Sequence, residues 1–366
     1  MNTKNFLNLH ILISHSPSCL NRDDMNMQKS AIFGGTRRVR ISSQSLKRAI
    51  RKSDYYRQHL GEPSVRTREL GNLRDHYIDV LKDDYPAETV TKAIALIAEK
   101  DLIEDDTQAA ALAPWAAAEL AEICRIVNEA DKEASAKQLK NAVDSNLKNL
   151  RNTLNNAVDI ALSGRMATSG LMTSVDGAMA LAHTITTHAV DADIDWFTAV
   201  DDLIEEEGEV GAGHLNTQEF SAGVFYRYAS LNLNQLQENL GGANREQALD
   251  IGRHLAHMLA TVVPSAKQQT FAAHNLADVV VASFGDMPIS LANAFEEPVS
   301  KPRTGGFLKP SAEKLIAYWQ KLQQGYGLDD EATCFSTLDL AVDGAVDSLT
   351  ELENWIANDG THKEQD

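Results

Sequence analysis

The sequence predicts an α+β protein that carries one helical insertion and one long β-hairpin. Segments with the alternation and β-branched residues of strands are interleaved with segments of helical periodicity. One stretch, residues 72–161, is helical in composition throughout, and two later β-like segments are joined by an acidic, glycine-containing stretch. The chain has 366 residues, of which 43% are hydrophobic, so it can bury a sizeable core in roughly two or three domains.

The first predicted element is a buried strand. Residues Phe6–Ser14 read FLNLHILIS, which is mostly apolar and β-compatible. The long segment after it is rich in turn formers, including the Gly34–Gly35 pair, and predicts a loop. Ser42 and Ser43 are good N-cap residues and predict the start of a helix that continues past residue 50.

The helical insertion is predicted over Asn72–Ala161. The stretch is rich in Ala, Leu, Glu, Asp and Lys, and its apolar residues recur at helical spacing. Pro86 and Pro114 are placed as first-turn prolines of two of its helices. We interpret Trp115 as a packing residue rather than as a platform for nucleotide stacking.

The hairpin is predicted in the second half of the chain. Residues His183–His188 alternate as a strand does, and Trp196–Val200 and Val224–Tyr228 are two further β-like segments that form a hairpin. Between them lies an acidic tip with six acids in the nine residues from Asp201 to Glu209.

The remaining predicted elements form the end of the fold. A buried strand is expected at Val279–Phe284, and helices are expected around residues 245–262 and 312–323. Together these elements predict an α+β domain with two appendages, the helical insertion and the long hairpin.

Composition excludes several classes of protein. The 34 Lys and Arg against 52 Asp and Glu give a net charge of −18, which argues against a simple basic nucleic-acid binder. The three cysteines are far apart and form no CxxC pair, so neither a disulfide framework nor a cysteine zinc site is expected. No transmembrane segment or signal peptide is recognisable. We expect a cytoplasmic protein without a metal or another cofactor.

The distribution of charge is more informative than its sum. The segment from residue 29 to residue 52 holds eight cations and no acid in 24 residues, where the chain average predicts about 2 cations. We call it the basic segment; its cations are Lys29, Arg37, Arg38, Arg40, Lys47, Arg48, Arg51 and Lys52. On the predicted helix, Lys47 and Arg51 are four residues apart and share a face. Cations beside a helix N-terminus suit phosphate, so polyanion binding is favoured over a merely solvated basic face.

Two histidine pairs could be metal ligands, but ordinary packing is favoured for both. His254 and His257 are three apart on a predicted helix, without a carboxylate positioned to complete a metal set. His183 and His188 could bind a divalent ion together with Asp191, Asp193 and Asp195, but the two histidines are five apart, which places them on opposite faces of a strand and weakens this interpretation.

The strongest catalytic candidate is the pair Asp23 and Asp24. A divalent ion held by these carboxylates could activate water against a bound phosphodiester, as in a metal-dependent ribonuclease. A solvated turn is the favoured interpretation of the same pair. The sequence has no GxxxxGK[ST], no GxGxxG after a strand, no HExxH and no GxSxG motif.

Long motifs give the chain a family resemblance. The N-terminal run that resembles the CasC family is HILISHSPSCLNRDDMNMQKSAIFGGTRRVRISSQSLKRAIRKS. Further matches follow in order: VDIALSGRMATSG, VDGAMALAHTITTH, DIDWFTAVDDL, TQEFSAGVFYRYASLNLNQLQENLGGANREQAL and PSAKQQTFAAHNLADVVV. That family supplies the crRNA-binding backbone subunit of Cascade, the type I-E CRISPR surveillance complex. The resemblance is weak over residues 72–150 and beyond Pro298.

The resemblance implies a hand-shaped fold with an RRM-like (ferredoxin-like) palm, helical fingers and a β-hairpin thumb. The palm would be made of residues 1–71, 162–194 and 226–366, the fingers of residues 72–161, and the thumb of residues 195–225. Copies of the family's subunit stack head-to-tail along one crRNA, and each thumb kinks the RNA, so that the stretches between kinks can pair with target DNA.

The resemblance also implies the site and the partners. The residues expected to bind crRNA are Lys29, Arg37, Arg38, Arg40, Ser42, Gln44, Lys47, Arg48 and Arg51 on phosphates, and Met166 and Phe197 as apolar wedges beside each kink. The expected partners are crRNA, target DNA in the assembled complex, other copies of the chain, and other Cascade subunits, including the repeat-processing endonuclease and the large and small subunits. Type I-E members are not nucleases, whereas related complexes that cut RNA place an aspartate in the loop that holds Asp23 and Asp24. We expect the acidic tip Asp201–Glu209 to contact a neighbouring protein.

Overall fold

The computed structural model describes residues 3–130, 134–146, 157–166, 174–191, 193–198 and 215–362. The described residues contain twelve strands and twelve α-helices, which confirms the predicted α+β class. The strands are β1 Phe6–Ser18, β2 Ser30–Phe33, β3 Thr36–Ile41, β4 Val65–Glu69, β5 Gln108–Trp115, β6 Met179–Leu181, β7 Thr184–Thr186, β8 Asp193–Thr198, β9 Leu215–Asn232, β10 Val279–Gly285, β11 Glu331–Ser336 and β12 Ala345–Val346.

The helices occupy most of the remaining chain. They are α1 Ser43–Lys52, α2 Asp54–Leu60, α3 Leu70–Val80, α4 Ala87–Ala98, α5 Ala117–Glu129, α6 Ala136–Ser145, α7 Val158–Ser163, α8 Leu233–Asn239, α9 Arg245–Thr261, α10 Gln268–Phe271, α11 Leu308–Tyr326 and α12 Leu349–Ala357. A 3₁₀ helix spans Ala292–Phe295. The helices predicted around residues 44–50, 245–262 and 312–323 are therefore confirmed as α1, α9 and α11.

The chain divides into two compact units. Unit 1 contains Met1–Ile50, Leu181–Ser230 and Leu255–Asp366, and unit 2 contains Arg51–Ala180 and Leu231–His254. The range predicted as fingers, residues 72–161, lies wholly within unit 2.

Unit 1 is built on a large mixed sheet. Its strand order is β12-β11-β10-β1-β9-β7-β3-β2, and β6 and β8 also pair with β9. Strand β1 pairs antiparallel with β10 from Phe6↔Gly285 to Leu12↔Val279, and its residues 7–13 are buried. Both predicted buried strands are thus confirmed and lie side by side in the sheet. Burial on both faces explains why they read as apolar runs without strict alternation.

A hairpin replaces part of the predicted loop after β1. Strands β2 and β3 pair antiparallel from Ser30↔Val39 to Phe33↔Thr36. Gly34 and Gly35 form the connection with φ values of 58° and 73°, which is the left-handed backbone that a two-residue hairpin turn requires. The loop prediction was wrong here because the arginines of β3 interrupt the alternation of apolar and polar residues by which a strand is recognised.

Unit 2 contains a core of helices α3–α6 and the small antiparallel sheet β4–β5. Pro114 pairs with Arg66 in that sheet, so its predicted helical position was wrong. Pro86 is the N-cap of α4, one position before the predicted first turn. Trp115 is 4% exposed within the core, which confirms its packing role.

The predicted β-hairpin is present with a different partner segment. Strand β8 pairs antiparallel with the start of β9, from Asp193↔Phe220 to Thr198↔Leu215. The predicted partner Val224–Tyr228 instead lies in the large sheet, where Tyr226 pairs with Ile185 of β7. The acidic tip Asp201–Glu209 lies outside the described residues.

Two further expectations concern cysteines and membranes. Cys19, Cys124 and Cys334 are buried free thiols, as the spacing predicts, and burial raises the pKa of Cys124 and of Cys334 to about 12. Among the helices that the structure describes, none is long and apolar enough to cross a membrane.

Candidate nucleic-acid interface

The N-terminus of α1 is capped as the sequence predicts. The Ser42 hydroxyl accepts a hydrogen bond from the Ser45 backbone N–H at 3.3 Å, and the Ser42 backbone N–H donates to Oδ1 of Asn21 at 2.9 Å. Leu46 and Ile50 are the buried residues of the helix. The helix is therefore fixed on the body of the protein by one apolar face, and its cations occupy the remaining faces.

The polar faces of α1 carry most of the predicted contacts. Gln44, Arg48 and Lys52 are exposed, and Lys47 and Arg51 are half-buried. No acidic side chain occurs in the first turn of the helix. In the described part of the chain, Arg48 and Lys52 form no ion pair, so their charge is available for an anion from solvent.

A second group of cations lies at the edge of β2 and β3. The Arg40 guanidinium donates from Nε to the Ser30 carbonyl at 3.1 Å, and its Nη1 lies 3.0 Å from Nδ1 of His183. Partial burial, Arg40 and then Lys29 lower the pKa of His183. Lys29 is half-buried and forms no ion pair with the residues that the structure describes. Two cations and an exposed histidine thus lie close together on unit 1.

Arg37 is partly neutralised by a buried acid. It forms an ion pair with Glu219 of β9, whose side chain is only 5% exposed. The other Glu219 oxygen accepts from the Gln28 backbone N–H at 2.9 Å. The sequence predicts only a cation here, because the acid that balances it is 182 residues away in the chain.

Arg38 is a correction to the predicted contact set. Its side chain is fully buried and donates to the carbonyls of Thr186 and Phe295, each at 2.9 Å, and to the Thr36 hydroxyl. Burial lowers its pKa. A guanidinium with 0% exposure and internal acceptors holds the fold together and has no surface for a phosphate.

Met166 is exposed on unit 2 and directly follows Arg165, which pairs with Val175 in an isolated β-bridge. We call Gly164, Arg165 and Val175 the neck. Its relative exposure is 87%, which is unusual for a large apolar side chain. The neighbouring Arg165 exchanges two backbone hydrogen bonds of 2.8 Å with Val175, and its guanidinium forms a bidentate pair with Glu119 at 2.6 and 2.8 Å. Gly164 has a φ of 77°, and a Cβ there would lie 2.8 Å from the Val175 carbonyl oxygen. The neck therefore fixes the backbone next to Met166.

The β8–β9 hairpin also carries exposed apolar residues. Phe197 lies in β8 opposite Asn216, and its side chain is outside the described set. On the alternate positions of the strand, Ile194 and Trp196 are 55% and 64% exposed. Ile194 and Trp196 are not among the residues predicted to bind RNA, although their spacing indicates a shared face, because residues two apart on a strand point to the same side.

The alternative of a metal-dependent ribonuclease would need Asp23 and Asp24 to hold a divalent ion. The Asp23 carboxylate accepts from the backbone N–H groups of Met25 and Met27, both at 2.9 Å, and so organises its own loop, while Asp24 is exposed. Within the described ranges, no group of three or more His, Cys, Asp or Glu residues could hold a metal ion.

The histidines considered as metal ligands have structural partners. His254 lies 2.9 Å from the Tyr55 hydroxyl within unit 2, and His257 Nδ1 lies 2.7 Å from Oε1 of Glu353 within unit 1. His188 stacks on Phe307 with ring centroids 3.8 Å apart. Packing of these side chains is the observed arrangement.

The structure thus sorts the predicted residues. Unit 1 contains Lys29, Arg40 and, on α1, Ser42, Gln44, Lys47 and Arg48, whereas Arg51 and Met166 belong to unit 2. Arg38 is no longer a candidate for binding phosphate because it is buried. Arg37 is still a candidate, but Glu219 neutralises part of its charge. The resulting surface is basic, acid-poor and able to bind phosphates without reading bases.

Comparison with known proteins places this geometry in a family. Residues 7–357 match the family model described as CT1975-like protein. A chain of a solved CRISPR RNA-guided surveillance complex in a pre-nicking state is 27% identical, with a TM-score of 0.79, over 97% of this chain and 100% of that one. A chain of another solved CRISPR RNA-guided surveillance complex is 25% identical, with a TM-score of 0.63 over the same shares. No curated protein matches. Since the family model covers nearly the whole sequence, the chain belongs to the CT1975-like protein family.

Proposed function

We propose that this chain is a non-catalytic backbone subunit of a type I-E CRISPR surveillance complex and that it binds crRNA through its basic segment. The observation that carries the proposal is the basic, acid-poor surface formed by the β2–β3 hairpin and the capped helix α1, in which Glu219 balances Arg37. The likeness over 97% of the chain to subunits of solved CRISPR RNA-guided surveillance complexes supports the same function. The type I-E assignment is supported by the resemblance of the long motifs to the CasC family.

Backbone-directed cations suit a guide whose sequence varies. Arg40, Arg48 and Lys47 bind phosphate oxygens by charge and hydrogen bonding, and these contacts are the same for every base. The N-terminus of α1 adds its unpaired N–H groups and the positive end of its dipole. The subunit therefore holds any guide of the right length.

Met166 and the β8–β9 hairpin kink the guide. An exposed apolar side chain beside a displaced nucleotide replaces part of the lost stacking, which is about 1–3 kcal/mol per base on aromatic platforms. Phe197 is the second wedge, and Trp196 on the same strand is a further exposed aromatic side chain. The stretches between kinks are left to pair with target DNA.

Copies of the chain assemble head-to-tail on one crRNA in the cytoplasm. A heterologous contact between unlike faces gives a filament rather than a closed dimer. The other partners are the repeat-processing endonuclease and the large and small subunits of the complex. We assign the acidic tip Asp201–Glu209 to a protein contact, because six carboxylates repel a phosphate chain. Replacing these acids with Ser weakens assembly; unchanged assembly with weaker RNA binding contradicts the assignment.

The test of the proposed function is binding of single-stranded RNA. Two labelled RNAs of equal length and unrelated sequence bind with equal affinity, and Lys47→Ala weakens both equally and flattens the salt dependence of log K by about 0.7. Lys321→Ala, which removes an exposed cation outside the basic segment, is the control and leaves binding unchanged. Sequence-dependent binding, or Mg²⁺-dependent cutting of RNA that Asp24→Ala abolishes, contradicts the proposal and favours a ribonuclease.

A further inference from the structure

His183 lies among the cations of unit 1 without belonging to the basic segment. It directly precedes strand β7, whose Ile185 pairs with Arg40 of β3. This pairing places the imidazole beside the Arg40 guanidinium, with Nη1 and Nδ1 3.0 Å apart. The ring is exposed to solvent, and Lys29 is near enough to lower its pKa.

The contact with Arg40 determines the protonation of the ring. A guanidinium has only donors, so Nδ1 of His183 must accept and carries no proton. The proton of the neutral imidazole is therefore on Nε2, which has no hydrogen-bond partner among the described residues. Donation from a cation to Nδ1 also polarises the ring and makes the Nε2–H a stronger donor.

The same geometry orients Arg40. Its Nε donates to the Ser30 carbonyl and its Nη1 to His183, so two of its three nitrogens are held by the protein. Its Nη2 has no partner in the part of the chain that the structure describes. The pair thus presents two donors, Nη2 of Arg40 and Nε2 of His183, to an anion from solvent.

We propose that His183 is a further RNA-binding residue, which donates its Nε2–H to a phosphate oxygen of the strand held by the basic segment. Arg40 binds the same phosphate group and, by its contact with Nδ1, keeps His183 in the donating tautomer. This inference rests on the proposed function, since it assumes that RNA occupies the surface of unit 1. It adds a neutral donor to a surface otherwise explained by charge.

The test exploits the difference between a neutral and a charged contact. His183→Ala weakens binding of a labelled single-stranded RNA by about 10- to 100-fold, as expected for the loss of a hydrogen bond to a charged group. A neutral imidazole displaces no counterion, so the salt slope stays at its wild-type value, whereas Arg40→Ala lowers it by about 0.7. His183→Gln restores binding to within about 2-fold, because its amide oxygen accepts from Arg40 and its amide N–H donates.

A second exposed histidine of unit 1 provides the control for this test. His274→Ala removes another exposed histidine of unit 1 and leaves binding unchanged. In the Arg40→Ala background, His183→Ala still weakens binding at least about 2-fold; no additional loss would mean that His183 only positions Arg40 and overturns the proposal. Wild-type affinity of His183→Ala overturns it too. If the wild-type chain binds no RNA, the proposed function fails first, which separates the two failures.

Discussion

The buried ion pair between Glu119 and Arg165 holds the neck next to Met166 in place. The Arg165 side chain has 0% exposure and that of Glu119 has 6%, and their two hydrogen bonds measure 2.6 and 2.8 Å. Glu119→Gln keeps the size of the side chain and one acceptor oxygen, but replaces the charged carboxylate with a neutral amide. The variant removes the carboxylate from a buried ion pair and leaves the Arg165 guanidinium buried, and breaking a buried pair in this way costs about 3–5 kcal/mol of folding free energy.

The assay is urea unfolding followed by circular dichroism, with a matched variant on the same helix. Glu122→Gln makes the identical chemical change three residues later, where the partner Arg125 is 39% exposed, and costs less than about 1 kcal/mol. The double variant Glu119→Met/Arg165→Met is more stable than Glu119→Gln, because it removes both charges of the buried pair together. A loss below about 1 kcal/mol for Glu119→Gln, equal to that of the control, would refute the reasoning.

Three other perturbations test the fold and the site. Gly34→Ala places a Cβ 1.6 Å from the Glu296 carbonyl oxygen and lowers the melting temperature strongly, whereas Gly35→Ala meets open space and costs only about 1 kcal/mol for its positive φ; equal losses would contradict the packing described at the turn. Burial lowers the pKa of His10 to about 3, so the unfolded chain binds the extra proton and stability falls by up to about 1.4 kcal/mol per pH unit below about pH 6.5. His10→Gln removes that share of the acid sensitivity in unfolding curves at pH 7 and pH 5, and an unchanged pH dependence would refute the assignment. Met166→Ser leaves stability within about 0.5 kcal/mol because the side chain is 87% exposed, but lowers the fluorescence of 2-aminopurine at the displaced guide position; unaltered fluorescence would exclude a wedge role.

The long regular elements were predictable from local pattern. Strands β1 and β10 read as apolar runs, and α9 and α11 show clear helical periodicity. The hairpin β2–β3 was not predicted because three arginines in β3 make its sequence look polar and exposed, although residues 38, 39 and 41 are buried. The arginines are Arg37, Arg38 and Arg40. A buried charged side chain needs partners for its hydrogen bonds, and for Arg38 these are carbonyls far away in the chain, which the local sequence does not reveal.

The same limit applies to the site. The sequence predicts the basic segment from its charge and Met166 from the family resemblance, but it does not show that Arg38 is buried against carbonyls at residues 186 and 295. Glu219, which balances Arg37, and His183, which contacts Arg40, both come from strands or loops far away in the chain. Which cations remain available to a phosphate is therefore a property of the tertiary structure.

The salt dependence of RNA binding by a charge-neutralised variant tests the central claim most directly. The variant Arg40→Ala/Lys47→Ala/Arg48→Ala removes three cations of the basic segment, and Lys82→Ala/Lys100→Ala/Lys321→Ala removes the same charge elsewhere. We predict that the first variant loses binding to RNAs of every sequence and that its plot of log K against log salt flattens by about 2, while the second retains the wild-type slope. Equal slopes and affinities for the two variants would contradict the account.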